Sequence, residues 1–239
     1  VQDFAHDNPA VGDEIILEGH GGSPYIPIRT AQPQLVGDGF MVVGDAAWQV
    51  CPGTGYGVYP ALTAGQLAGR AAAQAIRQGD TSKAALWPYA SGWHHGLGAN
   101  FGFIDCIRVM LQSIPNEDID FLFEHRIVTA EMFSKIWLGE TFSVSLPQAL
   151  GKLQRGLGRA GLLTKLRFAL SIADRFYALH KRFPPTPEEF PVWEAEHSQL
   201  YRQLHDRLGV HLDYSKDYGP GMLERIETAP LDVKNHPED

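Results

Sequence analysis

Residues 39–57 read GFMVVGDAAWQVCPGTGYG, an apolar run followed by an acid and a glycine-rich loop. Phe40–Val43 is uninterrupted and apolar, the pattern of a strand that is buried on both faces of a parallel sheet. Asp45 follows this strand after one glycine, at the sheet edge where open α/β folds bind their ligands. The stretch therefore predicts an α/β fold with a ligand site at the end of this strand.

A helix is predicted immediately after the loop. Pro60 suits a first helical turn, where its missing N–H costs nothing. From Ala61 to Arg77 small apolar residues recur at helical spacing, and Gly79 is a plausible stop. The N-terminus of this helix would point back at the loop, where its unpaired N–H groups and positive dipole end favour negative charge.

The loop provides the candidate cofactor contacts. A carboxylate in the position of Asp45 can accept hydrogen bonds from ribose or ribityl hydroxyls, and the loop glycines let backbone lie against a flat cofactor without a side-chain clash. A loop that uses its glycines for turn geometry alone is the alternative that spacing leaves open. Phosphate binding is disfavoured, because the loop has neither the Lys-Ser/Thr of a P-loop nor the dinucleotide spacing. The candidate residues are Gly44, Asp45, Pro52, Gly53, Thr54, Gly55, Tyr56 and Gly57.

Residues 37–57, continued by Ala64-Gly65 and Ala71-Ala72, resemble the second flavin motif of the geranylgeranyl reductase family. That family is part of the para-hydroxybenzoate-hydroxylase-like flavoproteins. The segment 22–29 is similar to the strand that precedes the motif, so the resemblance covers about residues 20–90. It implies that FAD is the cofactor, with Asp45 on the ribityl chain and the Gly53–Gly57 backbone facing the isoalloxazine ring. It also implies hydride transfer to a prenyl double bond.

Two departures from the family pattern qualify this resemblance. Cys51 stands where a polar residue usually precedes the proline of the motif. The N-terminal strand–glycine fingerprint–helix that grips the ADP half of FAD is not found upstream of the motif. We therefore expect the chain to be the C-terminal portion of an FAD-dependent oxidoreductase. We also expect it to hold FAD weakly by itself and to need an N-terminal FAD-domain polypeptide as partner.

The remaining sequence is mostly helical in pattern. We expect the C-terminal part of a Rossmann-like FAD-binding domain, with the end of the substrate-domain strands, over 1–80. A helical region over 81–212 and a polar tail over 213–239 would follow. Helix starts are predicted at Ser82, Asn116, Thr129 and Thr186, and helix bodies over 100–113, 162–182 and 193–208. Apolar residues around Phe101–Met110 and Phe121–Leu138 fit either a long apolar tunnel or ordinary core.

The charge pattern bears on partners. A net charge of −8 disfavours nucleic-acid binding. Between Lys152 and Arg182, however, eight basic residues accompany one acid, and an apolar stripe runs through the same segment. This pattern fits either peripheral contact with an anionic membrane or a core-facing helix with a solvated basic face. The two cysteines are too few for a disulfide framework, which favours a cytoplasmic setting.

Other reactive side chains have modest predicted roles. Cys51 is interpreted as a buried filler rather than a redox thiol, and His94-His95 as a solvent-facing pair rather than a proton donor. No metal site is predicted, and no catalytic side chain is assigned. The function that we predict is FAD-dependent reduction of isoprenoid double bonds in a prenyl lipid or precursor. The alternatives are an aromatic monooxygenase or quinone-linked dehydrogenase of the same superfamily, or a non-catalytic remnant or partner subunit.

Overall fold

The computed structural model describes residues 26–142 and 159–210. Two short strands and three single-turn elements accompany the helices in these ranges. The strands are β1 (Val36–Gly37) and β2 (Phe40–Met41); the helices are α1 (Val58–Gln78), α2 (Lys83–Trp93), α3 (Ala99–Gln112), α4 (Asn116–Glu124), α5 (Ala130–Trp137), α6 (Ala160–Lys181) and α7 (Phe190–Leu208). The short elements are 3₁₀ turns at Gly44–Ala47 and Pro187–Glu189 and a π-helical turn at His94–Gly98. The expectations for residues 1–25 and for the tail over 213–239 lie outside the described residues.

The two strands form a hairpin. Val36 pairs with Met41 in antiparallel register, and Gly39 makes the turn with a φ of +78°. We predicted that Phe40–Val43 is a parallel strand buried on both faces, but within the described residues its pairing is antiparallel and Val43 is 39% exposed. Helix α2 packs on the hairpin, whereas a strand buried on both faces needs cover on the other side as well. A parallel sheet that includes this segment stays a prediction.

Helix α1 follows the glycine loop as predicted and begins three residues earlier than the apolar periodicity indicated. Its first turn contains Pro60, and it ends at Gly79, which adopts a left-handed φ of +69°. The alanines of one face, Ala64, Ala68, Ala71 and Ala75, are buried and pack towards α2. Their small side chains let the two helices approach closely, so α1 and α2 hold the loop on a rigid base.

Helices α3 and α6 form the centre of the core. They run antiparallel, because Gly102 meets His180 near one end and the Lys165 Nζ donates to the Ser113 carbonyl near the other, at 2.6 Å. The predicted helices over 100–113 and 162–182 are confirmed within two residues at each end. The apolar stripe of α6 is buried against this core, as expected for a core-facing helix.

Local caps set several helix starts. The Ser82 hydroxyl accepts from the Ala85 N–H at 3.3 Å, and the Thr129 hydroxyl accepts from the Met132 N–H at 3.3 Å. Thr186 precedes a 3₁₀ turn without a side-chain cap, and α7 begins at Phe190 rather than Trp193.

Buried histidines and aromatic rings hold α7 onto α6 and the π-helical turn. His94 is fully buried, stacks on Phe183 with ring centroids 4.2 Å apart, and lies 3.1 Å from His180 between their Nδ1 atoms. His197 stacks on Trp193 at 5.0 Å. The prediction of a solvent-facing His94-His95 pair is therefore wrong: the π-helical turn brings His94 into the core, where its Nε2 faces the Pro33 carbonyl at 3.0 Å.

Candidate functional site

A buried hydrogen-bond relay fixes the start of the glycine loop. The Gly44 N–H donates to the Gln49 Oε1 at 2.8 Å, and the Gln49 amide donates to the Tyr89 hydroxyl at 2.8 Å. Tyr89 in turn donates to the Val42 carbonyl at 2.6 Å. The relay closes on the segment where it began, so it holds the 3₁₀ turn that carries Asp45. Sequence reasoning missed it, because Gln49 and Tyr89 are forty positions apart and neither belongs to a recognisable motif.

The loop itself is closed by its own backbone. The Cys51 carbonyl accepts from the N–H groups of Gly55, at 2.9 Å, and Thr54, at 3.3 Å. The Cys51 N–H donates to the Tyr56 carbonyl at 2.9 Å. Gly55 reaches a φ of +74°, which favours glycine. The Cys51 thiol is buried and directed at the Ile136 carbonyl at 3.5 Å, which supports a packing role for it.

The structure brings the predicted cofactor contacts together at one surface. Asp45, Gly53 and Tyr56 are exposed, Pro52 is buried, and the other four candidates are half-buried. A Cβ on Gly57 would lie 3.3 Å from the Asp45 Oδ1, so the carboxylate stands against bare backbone at the start of α1. A side chain at this position would fill that space. An exposed acceptor, uncovered backbone and a helix N-terminus are compatible with a flat cofactor that carries hydroxyl groups and negative charge, so these residues fit a flavin.

An apolar cavity of about 440 Å³ begins at the same loop. Gly53 belongs to its lining, and a Cβ there would overlap the Ile136 side chain and lie 3.0 Å from the Ile104 Cγ2. Apolar side chains of α3, α4, α5 and α6 supply most of the remaining wall: Ile104, Ile107, Met110, Leu111, Ile119, Leu122, Phe123, Met132, Phe133, Ile136, Leu166 and Leu170. Position 53 is therefore a close contact between the loop and the cavity wall, because Ile136 and Ile104 already occupy the space that a side chain there would need.

The apolar segments Phe101–Met110 and Phe121–Leu138, which fitted either a tunnel or the core, contribute to both the cavity wall and the core. In α3, Phe101 and Phe103 are core residues, while Ile104 and Met110 line the cavity. An exposed aromatic flank lies beside the loop, where Tyr56 stacks on Trp137 with ring centroids 6.1 Å apart. Sequence reasoning gave no sign that these two side chains meet.

Two absences concern the described parts of the chain. Within residues 26–142 and 159–210, no group of three or more His, Cys, Asp or Glu side chains could hold a metal ion. Nor does any helix in those ranges have the length and apolar character needed to cross a bilayer.

Sequence comparison finds related proteins for this chain, although no family model matches it. It is 49% identical over 139 residues to the digeranylgeranylglycerophospholipid reductase of Methanospirillum hungatei, covering 56% of this chain and 33% of that protein. It is 37% identical over 121 residues to digeranylgeranylglycerophospholipid reductase 3 of Methanosphaera stadtmanae, covering 50% and 30%. A longer match, 25% identical over 187 residues, joins it to the Sulfolobus acidocaldarius digeranylgeranylglycerophospholipid reductase, covering 78% and 41%.

In each of these matches the chain spans less than half the length of the relative. The shared name of the three relatives agrees with the resemblance that the glycine loop suggested. Together these matches support a relationship between this chain and the geranylgeranyl reductase family.

Proposed function

We propose that this chain supplies the flavin-ring side and the substrate cavity of an FAD-dependent reductase of isoprenoid double bonds in a prenyl lipid. The observation that carries the proposal is the double position of Gly53, which belongs to the flavin-motif loop and also lines the apolar cavity. The names of the relatives describe reductases of a lipid with geranylgeranyl chains, which an apolar cavity suits.

The loop residues have distinct roles in this proposal. Asp45 would accept hydrogen bonds from the ribityl hydroxyls, and the Gly53–Gly57 backbone would lie against the ring. The first turn of α1 would favour negative charge at the ring edge. When bound, FAD supplies the hydride-transfer chemistry. The relay through Gln49 and Tyr89 keeps this surface in place before the cofactor arrives.

The cavity would position the prenyl chain. Its volume of about 440 Å³ falls in the range of roughly 300–1,000 Å³ that small-molecule sites occupy. Burial of hydrocarbon contributes about 0.8 kcal/mol per CH₂, so a chain held by several methylene and methyl groups needs no polar partner along its length. A reduction that proceeds without a side-chain nucleophile depends on such positioning.

A second polypeptide segment is part of the proposal. The outer face of α1 is exposed and apolar, with Val58 65%, Leu62 69% and Ile76 72% exposed, and a Cβ on Gly65 or Gly69 would meet nothing within 4 Å. We propose that an N-terminal FAD-domain polypeptide covers this face and grips the ADP half of FAD. A non-catalytic partner subunit is the second candidate, favoured by the same exposed apolar face of α1.

We also propose that basic side chains within 152–182 make peripheral, electrostatic contact with an anionic membrane. The apolar stripe of α6 is buried, so insertion of that face is not part of it. Arg167, Arg175, Lys181 and Arg182 are exposed and could approach anionic lipid. Flotation with anionic vesicles that persists at high salt would contradict an electrostatic contact.

The function is tested with the purified chain together with the N-terminal half of a relative, FAD, a chemical reductant and a geranylgeranyl lipid. We expect flavin absorbance that is released on denaturation, and a lipid whose mass rises by a pair of hydrogens per reduced bond. A product that has gained oxygen would instead identify a monooxygenase. If the chain binds no flavin even with an N-terminal half from a relative, the assignment of the loop is wrong.

A further inference from the structure

One end of the cavity is polar. Nearly all its lining is hydrocarbon, but Arg108, Gln112 and Asn116 also belong to it. These three residues, called here the polar end, occupy the last turn of α3 and the first residue of α4. Gln112 and Asn116 are exposed and Arg108 is half-buried, so these side chains stand where the cavity meets solvent. A polar headgroup can stay hydrated there while its hydrocarbon chain is buried further in.

The polar end lies away from the glycine loop. Ile104 is the α3 residue that faces Gly53, and Gln112 is eight residues further along the same helix. At the rise of an α-helix this separates them by about 12 Å along the axis. The Arg108 Nη1 donates to the Gln112 Oε1 at 2.6 Å, so the guanidinium extends towards the far end and not towards the loop.

Arg108 is held in place by a buried carboxylate. Its Nε donates to the Asp105 Oδ1 at 2.7 Å, and Asp105 is 1% exposed. The other carboxylate oxygen accepts from the Thr30 N–H at 3.0 Å and from the Tyr201 hydroxyl at 2.8 Å. Three elements of the chain therefore fix one arginine at the cavity wall, which is more support than a solvated surface arginine receives.

Charges of both signs surround the polar end. Lys165 donates to the Ser113 carbonyl at the end of α3, while Asp118 in the first turn of α4 pairs with Arg159. Glu117 is exposed nearby on α4. Because Asp105 already balances Arg108, recognition at this end would depend on directed N–H donors more than on a positive field.

Resting on the proposed function, we propose that the polar end binds the phosphate-bearing headgroup of the prenyl lipid. Arg108, Gln112 and Asn116 donate to its oxygens, and the hydrocarbon chain extends towards Gly53. An entirely apolar cavity would accept a prenyl chain in either direction. The polar end fixes one direction, with the terminus distant from the headgroup at the flavin loop. The double bonds that reach the loop are then selected by their distance from the headgroup.

The test compares three probes on the purified chain by titration calorimetry: farnesyl phosphate, farnesol and inorganic phosphate. We expect farnesyl phosphate to bind at least tenfold more tightly than farnesol, and inorganic phosphate to bind far more weakly than either.

Arg108→Lys keeps a cation beside Asp105, and Gln112→Leu keeps the helix. Each should weaken farnesyl phosphate by about tenfold, the size expected for one charge-assisted hydrogen bond, and change farnesol less than twofold. Gln74→Leu, at an exposed position of α1 away from its apolar outer face, is the matched control.

The direction of the chain is tested separately. Farnesyl phosphate that carries a photoreactive group at the end distant from the phosphate should label peptides containing Ile104 or Ile136. Labelling confined to Leu111 or Ile114 would reverse the direction and overturn the proposal. Equal affinities of the unmodified chain for farnesyl phosphate and farnesol, with no change in either variant, would also overturn it. In that outcome the cavity still binds prenyl chains. If neither prenyl probe binds at all, the proposed function fails together with the inference.

Discussion

Acidification is expected to unfold this protein through the buried histidines that join α6, α7 and the π-helical turn. Burial lowers the pKa of His94 from 6.5 to about 3, against a smaller opposing effect of the Pro33 carbonyl. Burial likewise lowers the pKa of His197 to about 4 and holds that of His180 well below 6.5. Neither ring nitrogen of His197 has a hydrogen-bond partner among the described residues.

The direction in which stability changes with pH follows from proton uptake by the unfolded chain. Between the unfolded pKa of 6.5 and the folded values, the unfolded chain binds protons that the folded protein excludes, so stability is complete above 6.5 and is lost as the pH falls. Each such histidine contributes up to about 1.4 kcal/mol per pH unit, so His94 and His197 together contribute about 3 kcal/mol per unit below pH 6. The lowered pKa values of His180 and His205 act in the same direction. By pH 5 the loss from His94 and His197 is about 4 kcal/mol, a large part of the roughly 5–15 kcal/mol that stabilises a typical domain.

Urea unfolding followed by tryptophan fluorescence between pH 7.5 and 5 measures how the free energy of unfolding changes with pH. His197→Phe keeps an aromatic ring at a position without hydrogen bonds among the described residues, so it should fold at neutral pH. It should lower the dependence of the unfolding free energy on pH by about 1.4 kcal/mol per pH unit. Leu200→Ala is the control: it should cost about 2–5 kcal/mol at every pH and leave that dependence on pH unchanged. If the free energy of unfolding of the unmodified chain is the same at pH 7 and pH 5, the histidines do not act in this way.

Three further predictions concern the loop and the cavity. Gly53→Val should weaken farnesol binding by calorimetry, because its side chain would overlap Ile136 and Ile104 and force them into the cavity that they line, whereas Gly65→Val on the open face of α1 should leave binding intact. Asp45→Ala should lower the affinity of the chain for FAD by about tenfold in a flavin fluorescence titration; equal affinity would remove Asp45 from the site. Gln49→Leu should lower the free energy of unfolding by about 1–3 kcal/mol, because it leaves the Gly44 N–H without its acceptor. A chemical denaturation curve identical to that of the unmodified chain would contradict this role of the relay.

Helix boundaries were largely predictable because their signals are local. Ser82 and Thr129 cap the N–H groups three residues ahead of them, and Gly79 ends α1 in a conformation that glycine adopts without strain. The start of α7 was misplaced, because the predicted cap at Thr186 leads into a 3₁₀ turn first. Apolar periodicity cannot show this turn, because none of its three residues is buried and so none adds to the apolar face of α7.

The burial of His94 could not be predicted in the same way. A pair of histidines before a glycine is a polar pattern, and sequence alone places it at the surface. The surroundings that bury it come from Phe183 and Trp193, which are remote in sequence and approach through the packing of α6 and α7.

The sequence by itself determined the chemistry of the loop from Asp45 to Gly57. A carboxylate, bare backbone and a following helix are properties of neighbouring residues, so they can be recognised along the chain. Only the tertiary structure decided that this loop lies against an apolar cavity with a polar end. Ile104, Ile136 and Leu170 belong to three helices, and hydrophobic burial is non-directional, so no local pattern shows which apolar faces will enclose a space and which will fill it.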